Sequence, residues 1–174
     1  AEVQEAMVRP VYDAVLARLG LHAGQRLLDA GCGAGLFASL AARAGVAVSG
    51  IDAAGPMLDI AAERVPDGQF HKGDLEMLPF DSGSFDAVTG FNAFQFAASP
   101  PRALAEAARV VRPDGIVVVV TWCDPANMPA AAVITALRAL LPPPPPNAPG
   151  PFALSDKIAL TGFAAAAGLE PGDM

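Results

Sequence analysis

The chain has 174 residues, of which 53% are hydrophobic and 17% charged, and its formal net charge is −7. The length fits one domain, and the apolar content excludes a disordered chain. The acidic balance repels a phosphate backbone, so nucleic acid is not an expected partner.

Taken in order, short apolar β-branched runs alternate with helical patterns, as in an α/β fold with a parallel sheet. A first helix is predicted over Gln4 to Leu19, and a first strand over Arg26–Ala30. Leu36, Leu40, Ala41 and Ala44 share one helical face, which Gly45 closes. A second strand is predicted over Ala47–Ile51. Pro56 then suits a first helical turn, with Met57, Ile60 and Ala61 along one side. Strands are predicted next over Gln69–His71 and Asp86–Gly90. Ser99 is placed to cap a helix opening at Pro100, with Leu104, Ala107, Ala108 and Val111 as its apolar stripe. Pro113 stops that helix, and Asp114-Gly115 turns the chain into a strand over Gly115–Thr121. The run Ile116 to Val120 is apolar on both faces, which predicts a place in the middle of a covered sheet. It is far too short to span a bilayer, and no membrane association is expected. Helices are further predicted over Met128 to Leu141 and Ser155 to Ala167, with Pro142 to Pro146 as an extended connection.

The residues with chemical content begin at Leu27-Leu28-Asp29-Ala30-Gly31-Cys32-Gly33-Ala34-Gly35-Leu36. A buried strand ends beside an acidic residue, a glycine-rich turn follows, and a helix starts. Such a turn lies where open α/β sheets bind ligands. A dinucleotide fingerprint needs a third glycine where Leu36 stands, and a carboxylate at Asp29 opposes a pyrophosphate. Asp29 suits a ligand with an ammonium or sulfonium group. Asp52, ending the second strand, is placed to accept from ribose hydroxyls, a feature that nicotinamide enzymes share. Asp74, after the third strand, is balanced between an adenine amino contact and loop capping. Cys32 supplies backbone to the turn rather than a nucleophile. Cys32 and Cys123 form neither a disulfide framework nor a zinc spacing, so a reducing, cytoplasmic setting without metal is expected. The acidic start, Ala1 to Glu5, is unlike a secretory signal. His22 and His71 have no carboxylate partner at motif spacing and read as structural or solvated.

Five stretches, Leu27–Leu36, Gly50–Ala62, Gly73–Phe80, Ser84–Phe91 and Arg109–Thr121, resemble class I S-adenosylmethionine-dependent methyltransferases. The likeness is to the small-molecule group that includes ubiquinone and menaquinone biosynthesis enzymes. It implies one Rossmann-like, doubly wound domain over residues 1–174, with a mostly parallel sheet and helices on both faces. Residues 25–122 would form the cofactor core, and 123–174 an incomplete acceptor-side part whose last strands are missing. It also implies S-adenosylmethionine as cofactor. Gly31, Gly33 and Gly35 would line its methionine and ribose portion beside Asp29, and Asp52 would hold the ribose. Ala53 and Met57 would pack on the adenine, with Asp74 and Leu75 nearby. Phe91 and Asn92 would approach the methionine arm, with Phe96 from the same loop and Tyr12 as a weaker lid candidate. Phe91-Asn92-Ala93-Phe94 stands where enzymes acting on amino groups carry an Asn-Pro-Pro-Tyr-type motif, so the expected acceptor is a small molecule. No catalytic base is assigned. A non-catalytic binding or scaffold domain and a nicotinamide-dependent oxidoreductase stay open as alternatives.

Overall fold

A computed structural model of the chain describes residues 2–128, 133, 136, 137 and 150–172. Its strands are β1 (Arg26–Ala30), β2 (Ala47–Asp52), β3 (Gln69–Lys72), β4 (Phe85–Phe91) and β5 (Val111–Val120). They form one sheet in the order β3-β2-β1-β4-β5, each neighbouring pair parallel. The helices are α1 (Glu2–Leu19), α2 (Leu36–Arg43), α3 (Gly55–Arg64), α4 (Pro100–Val110) and α5 (Lys157–Ala166). Strand order reverses between β1 and β4, which makes the carboxyl ends of these two strands the natural ligand crevice.

Alternation along each strand feeds two cores. Leu27 packs with Phe37, Ala38 and Ala41 of α2 and Leu19 of α1, whereas Leu28 packs with Leu104, Ala107 and Val110 of α4 and Leu160 of α5. Ala87 and Val88 divide in the same way, as do Val118 and its neighbours Val117 and Val119. The sheet is therefore covered on both faces, and its inner strands carry apolar side chains on each. A fully buried Leu or Val contributes roughly 1.5–3 kcal/mol, so β1 and β4 anchor the domain.

Two expectations need correction. Val111 does not extend the stripe of α4; its backbone is extended (φ −75°, ψ 141°) and it pairs with Phe85 at the start of β5. Between that pair and the next, Ala87 with Ile116, β5 bulges through Arg112-Pro113-Asp114-Gly115, and Asp114 takes φ 63°. Pro113 therefore sits in the bulge, where a missing N–H breaks no ladder bond. Nor is β5 central: among the described residues it pairs with β4 alone, and Ile116 is 47% exposed. Two apolar faces require helices on both sides of a strand, not a strand on both edges. The predicted helix over Met128 to Leu141 lies largely outside the described residues, and the proline run 142–146 lies wholly outside them.

No helix joins β3 to β4. Instead α4 fixes the connection from its flank. The Leu78 N–H donates to Glu106 Oε2 (2.8 Å), and Arg109 donates to the carbonyls of Leu78 (3.0 Å) and Phe80 (2.8 Å). Arg109 also binds Glu106 at 2.7 Å, and the Ser99 N–H donates to Glu76 Oε1 (2.8 Å). Ser99 occupies the N-cap of α4 as predicted, but no side-chain capping bond accompanies it. Among the described residues no helix is long and apolar enough to cross a membrane.

Candidate functional site

The carboxyl ends of β1, β2 and β4 converge on the glycine turn. Gly31 and Gly35 there both take φ 73°, a conformation that other residues avoid. A β-carbon at Gly31 would collide with Ala93 Cβ, so this glycine lets the turn meet the loop after β4. At Gly35 it would stand 2.8 Å from Ala61 Cβ, which sets α2 close against α3.

Four amides of the turn are committed within the chain. The N–H groups of Gly31 and Cys32 both donate to Ile51 O (2.7 and 3.1 Å), and that of Gly35 to Cys32 O (2.9 Å). The Gly33 N–H donates to Asp52 Oδ2 (2.8 Å), and the Ala54 N–H to the other oxygen, Oδ1 (2.9 Å). A phosphate cradle needs free amides at this place. Here those of Gly31, Cys32, Gly33 and Gly35 are occupied, and the nearby side chains include the carboxylates of Asp29 and Asp52. Asp52 thus clasps the turn to the end of β2, and each of its oxygens keeps a second lone pair for a ligand hydroxyl.

Asp29 is 2% exposed, and its Oδ1 accepts from the Thr89 hydroxyl (3.1 Å). Burial drives its carboxyl up to about 7; the Thr89 bond opposes that rise, and the charge of Asp52 adds to it. Burial likewise pushes the Cys32 thiol up, reinforced by Asp29 and Asp52. A thiol so placed is a poor nucleophile, as expected of a residue that serves the turn. Its sulfur lies beneath Gly50, where a β-carbon would come within 2.8 Å of it.

The other predicted positions divide. Met57 is 40% exposed above the turn, with its Cε 3.7 Å from where a Gly33 β-carbon would be; Ala53 beside it is exposed. Asp74 is exposed, and its Oδ1 accepts from the Glu76 N–H (2.9 Å), the loop-capping role. Gly73, its neighbour, donates its N–H to Asp52 O (3.1 Å), which holds this connection beside β2. The Leu75 side chain packs into the core on the α4 face. Phe91 stacks edge-on with Tyr12 (4.5 Å between centroids) and tilted against Phe37 (4.5 Å). Tyr12 is thereby packed on the sheet, yet it feels the charge of Asp29, so α1 reaches the crevice. Asn92 takes φ 51°, and its N–H donates to Val120 O (2.8 Å). Phe94 is buried and Phe96 is 51% exposed. His71 packs edge-on against Phe80 (5.2 Å), away from any carboxylate partner shown here.

Two polar residues at the crevice escaped the sequence reading. Thr89 is fully buried on β4 directly beside Asp29 in register, and the lone hydroxyl within Ala87-Val88-Thr89-Gly90 was its signal. Gln95 is also fully buried, and its Nε2 donates to Asn92 Oδ1 (3.2 Å).

Comparison with known proteins gives this geometry a family. A family profile described as "Methyltransferase domain" matches residues 28–119, more than half of the chain. The chain belongs to this methyltransferase family. It is a class I domain, and the methyl donor of that class is S-adenosylmethionine; the nicotinamide alternative gives way. The chain is 40% identical over 134 residues to a demethylmenaquinone methyltransferase of Renibacterium salmoninarum, covering 76% of this chain and 55% of that protein. It is 36% identical over 112 residues to a malonyl-[acyl-carrier protein] O-methyltransferase of Serratia marcescens, covering 64% and 44% respectively. The chain thus spans about half the length of these relatives. A SAM dependent methyltransferase from Aquifex aeolicus shares the fold at a TM-score of 0.70 and 21% identity, over 93% of this chain and 81% of that one.

Proposed function

We propose that this domain binds S-adenosylmethionine across the carboxyl ends of β1, β2 and β4 and serves methyl transfer to a small-molecule acceptor in a cytoplasmic setting. The observation that carries the reading is the glycine turn. The N–H groups of Gly31, Cys32, Gly33 and Gly35 are bonded within the chain, and the flanking groups are the carboxylates of Asp29 and Asp52. That lining favours a ligand with ribose hydroxyls and positive charge over one with a pyrophosphate. When bound, the cofactor supplies a methyl group activated on a sulfonium, with a neutral thioether as leaving group. The chain's own part is positioning and exclusion of water. Asp52 holds the ribose while it fixes the turn, and Met57 and Ala53 border the adenine. Asp74 and Leu75 lie on the adenine side. Asp29 sits by the charged arm, with Phe91 and Asn92 opposite. No side chain is assigned to proton removal. By their names the two relatives act on a demethylated menaquinone and on a malonyl-[acyl-carrier protein]; the first supports a small acceptor in general, without selecting that one.

Calorimetric titration with S-adenosylmethionine and separately with NADH tests the cofactor. S-adenosylmethionine alone should bind, and Asp52→Ala should weaken it at least tenfold, since a hydrogen bond to a charged group is worth about 1.5–3 kcal/mol. Binding of NADH without S-adenosylmethionine would overturn the reading. For the acceptor, labelled methyl should pass from the cofactor into small molecules of a cell extract. Label found in nucleic acid only would overturn the acceptor class, and cofactor binding with no transfer at all would favour a binding domain.

A further inference from the structure

Asp29 is a carboxyl with 2% exposure, and each packed element brings it a different group. Thr89 on β4 donates a hydrogen bond to it, Asp52 at the end of β2 adds negative charge, and Cys32 and Tyr12 approach from the turn and from α1. None of these four is a cation. The sulfhydryl and the phenol are both pushed upward and so stay neutral near pH 7. A buried carboxyl in such company keeps its proton up to about neutral pH, and a positive ligand draws the proton off earlier.

We propose that Thr89 is the positioning residue that holds Asp29 as a proton-linked counter-charge to the cofactor's cationic arm, so that the site discriminates S-adenosylmethionine from its demethylated product more strongly as pH rises. This rests on the cofactor reading above. In the free site the Asp29 O–H is largely intact below neutral pH. A sulfonium and an ammonium brought alongside stabilise the carboxylate; the O–H bond breaks and its proton passes to the buffer. The product retains the ammonium but has lost the sulfonium charge, so it draws less ionisation from Asp29 and binds less tightly. Thr89 contributes in two ways. Its hydroxyl fixes the carboxyl on the β1–β4 seam, where Asp29 and Thr89 are partners in register. It also favours the ionised form, since a donated hydrogen bond is stronger to a carboxylate than to an acid.

The test is calorimetry on the full chain with S-adenosylmethionine and with S-adenosylhomocysteine, from pH 5.5 to 8.5, each in two buffers of different ionisation enthalpy. Near pH 6 the wild type should release close to one proton per S-adenosylmethionine bound. Its affinity should rise up to tenfold per pH unit and level off above about pH 7. The product should show a shallower rise, so the ratio of the two affinities widens with pH. Asp29→Asn should release no proton to this group and lose the slope, which also separates Asp29 from titration of the ligand's own amino group. Thr89→Val should move the levelling point to higher pH, and Thr89→Ser should restore it. S-adenosylmethionine binding with no proton release in the wild type would overturn the proposal without recourse to any variant. Equal profiles for Thr89→Val and Thr89→Ser would overturn the part assigned to Thr89. Absence of binding at every pH would overturn the cofactor reading itself, and this proposal with it.

Discussion

A β-carbon has no room at Gly35. It would meet Ala61 Cβ at 2.8 Å and Ala61 Cα at 2.9 Å, and the residue's φ of 73° strains any side chain in addition. The left-handed conformation costs an L residue roughly 1–2 kcal/mol, and overpacking against backbone roughly 1–3 more. Gly35→Ala should therefore lose about 2–5 kcal/mol in urea unfolding and push α2 away from α3. Gly162 is the matched control: it lies within α5, has nothing within 4 Å, and is exposed. Gly162→Ala should gain up to about 1 kcal/mol from helix propensity and a less free unfolded chain. A comparable loss at both positions would show that crowding at Ala61 is not the cause. The same logic explains which site residues were readable. Gly31, Gly35, Asp29 and Asp52 announce themselves because a tight turn and a strand-end carboxylate demand particular residue types. Thr89 matters through its partner across the β1–β4 seam, and pairing between strands is not written along the chain. Asp74 was evenly balanced in sequence because an Asp that caps its own loop and one that faces a ligand look alike until the Glu76 amide is seen upon it.

The connection from β3 to β4 behaves as an element without being one. It has no helix, and its order comes from Glu106 and Arg109 of α4, which bind the Leu78 amide and the Leu78 and Phe80 carbonyls. Arg109→Ala removes both carbonyl bonds and the guanidinium hydrogen-bonded to Glu106. A loss of about 2–3 kcal/mol is expected at charged hydrogen bonds of this kind. Hydrogen exchange should localise it: the Leu78 amide should exchange faster, while amides in β1 keep their protection. Uniform acceleration would instead mean that α4 itself unpacks. Elements with local signals were legible: β1 falls on its predicted residues, Pro56 stands in the first turn of α3, and α5 lies within the predicted Ser155 to Ala167. What failed was neighbourhood. Val111 carries the periodicity of α4, but Pro113 pushes the chain towards extended geometry before that helix can use it. The valines of β5 satisfy helices on both sheet faces, and no periodicity within the strand tells a central position from an edge.

At the scale of the whole molecule, carboxyl groups act on stability in opposite directions. The Arg26 amide, followed by Arg112, holds Asp86 below the usual carboxylate range; Arg109 does so for Glu106. For these two the unfolded chain takes up protons first as pH falls, so their contribution is present above the ordinary carboxylate range and lost in acid. Asp29 has the reverse sign. Its folded value of about 7 lies above the unfolded value of about 3.9, so between the two the folded state binds more protons. Stability then declines as pH rises through that window and levels off above about 7. The shift bounds the decline at roughly 4 kcal/mol between pH 4 and pH 8. Maximum stability should accordingly fall on the acid side of neutrality. Asp29→Asn, which cannot ionise, should lie nearest the wild type at about pH 4 and exceed it increasingly towards pH 8, as read from urea midpoints at each pH. Saturating S-adenosylmethionine should narrow that alkaline difference, because a ligand that prefers the ionised site stabilises the wild type where its own carboxylate is the burden. A variant whose stability declines as steeply as the wild type's would place the alkaline limb on other groups, and the burial of Asp29 would then be relieved in solution.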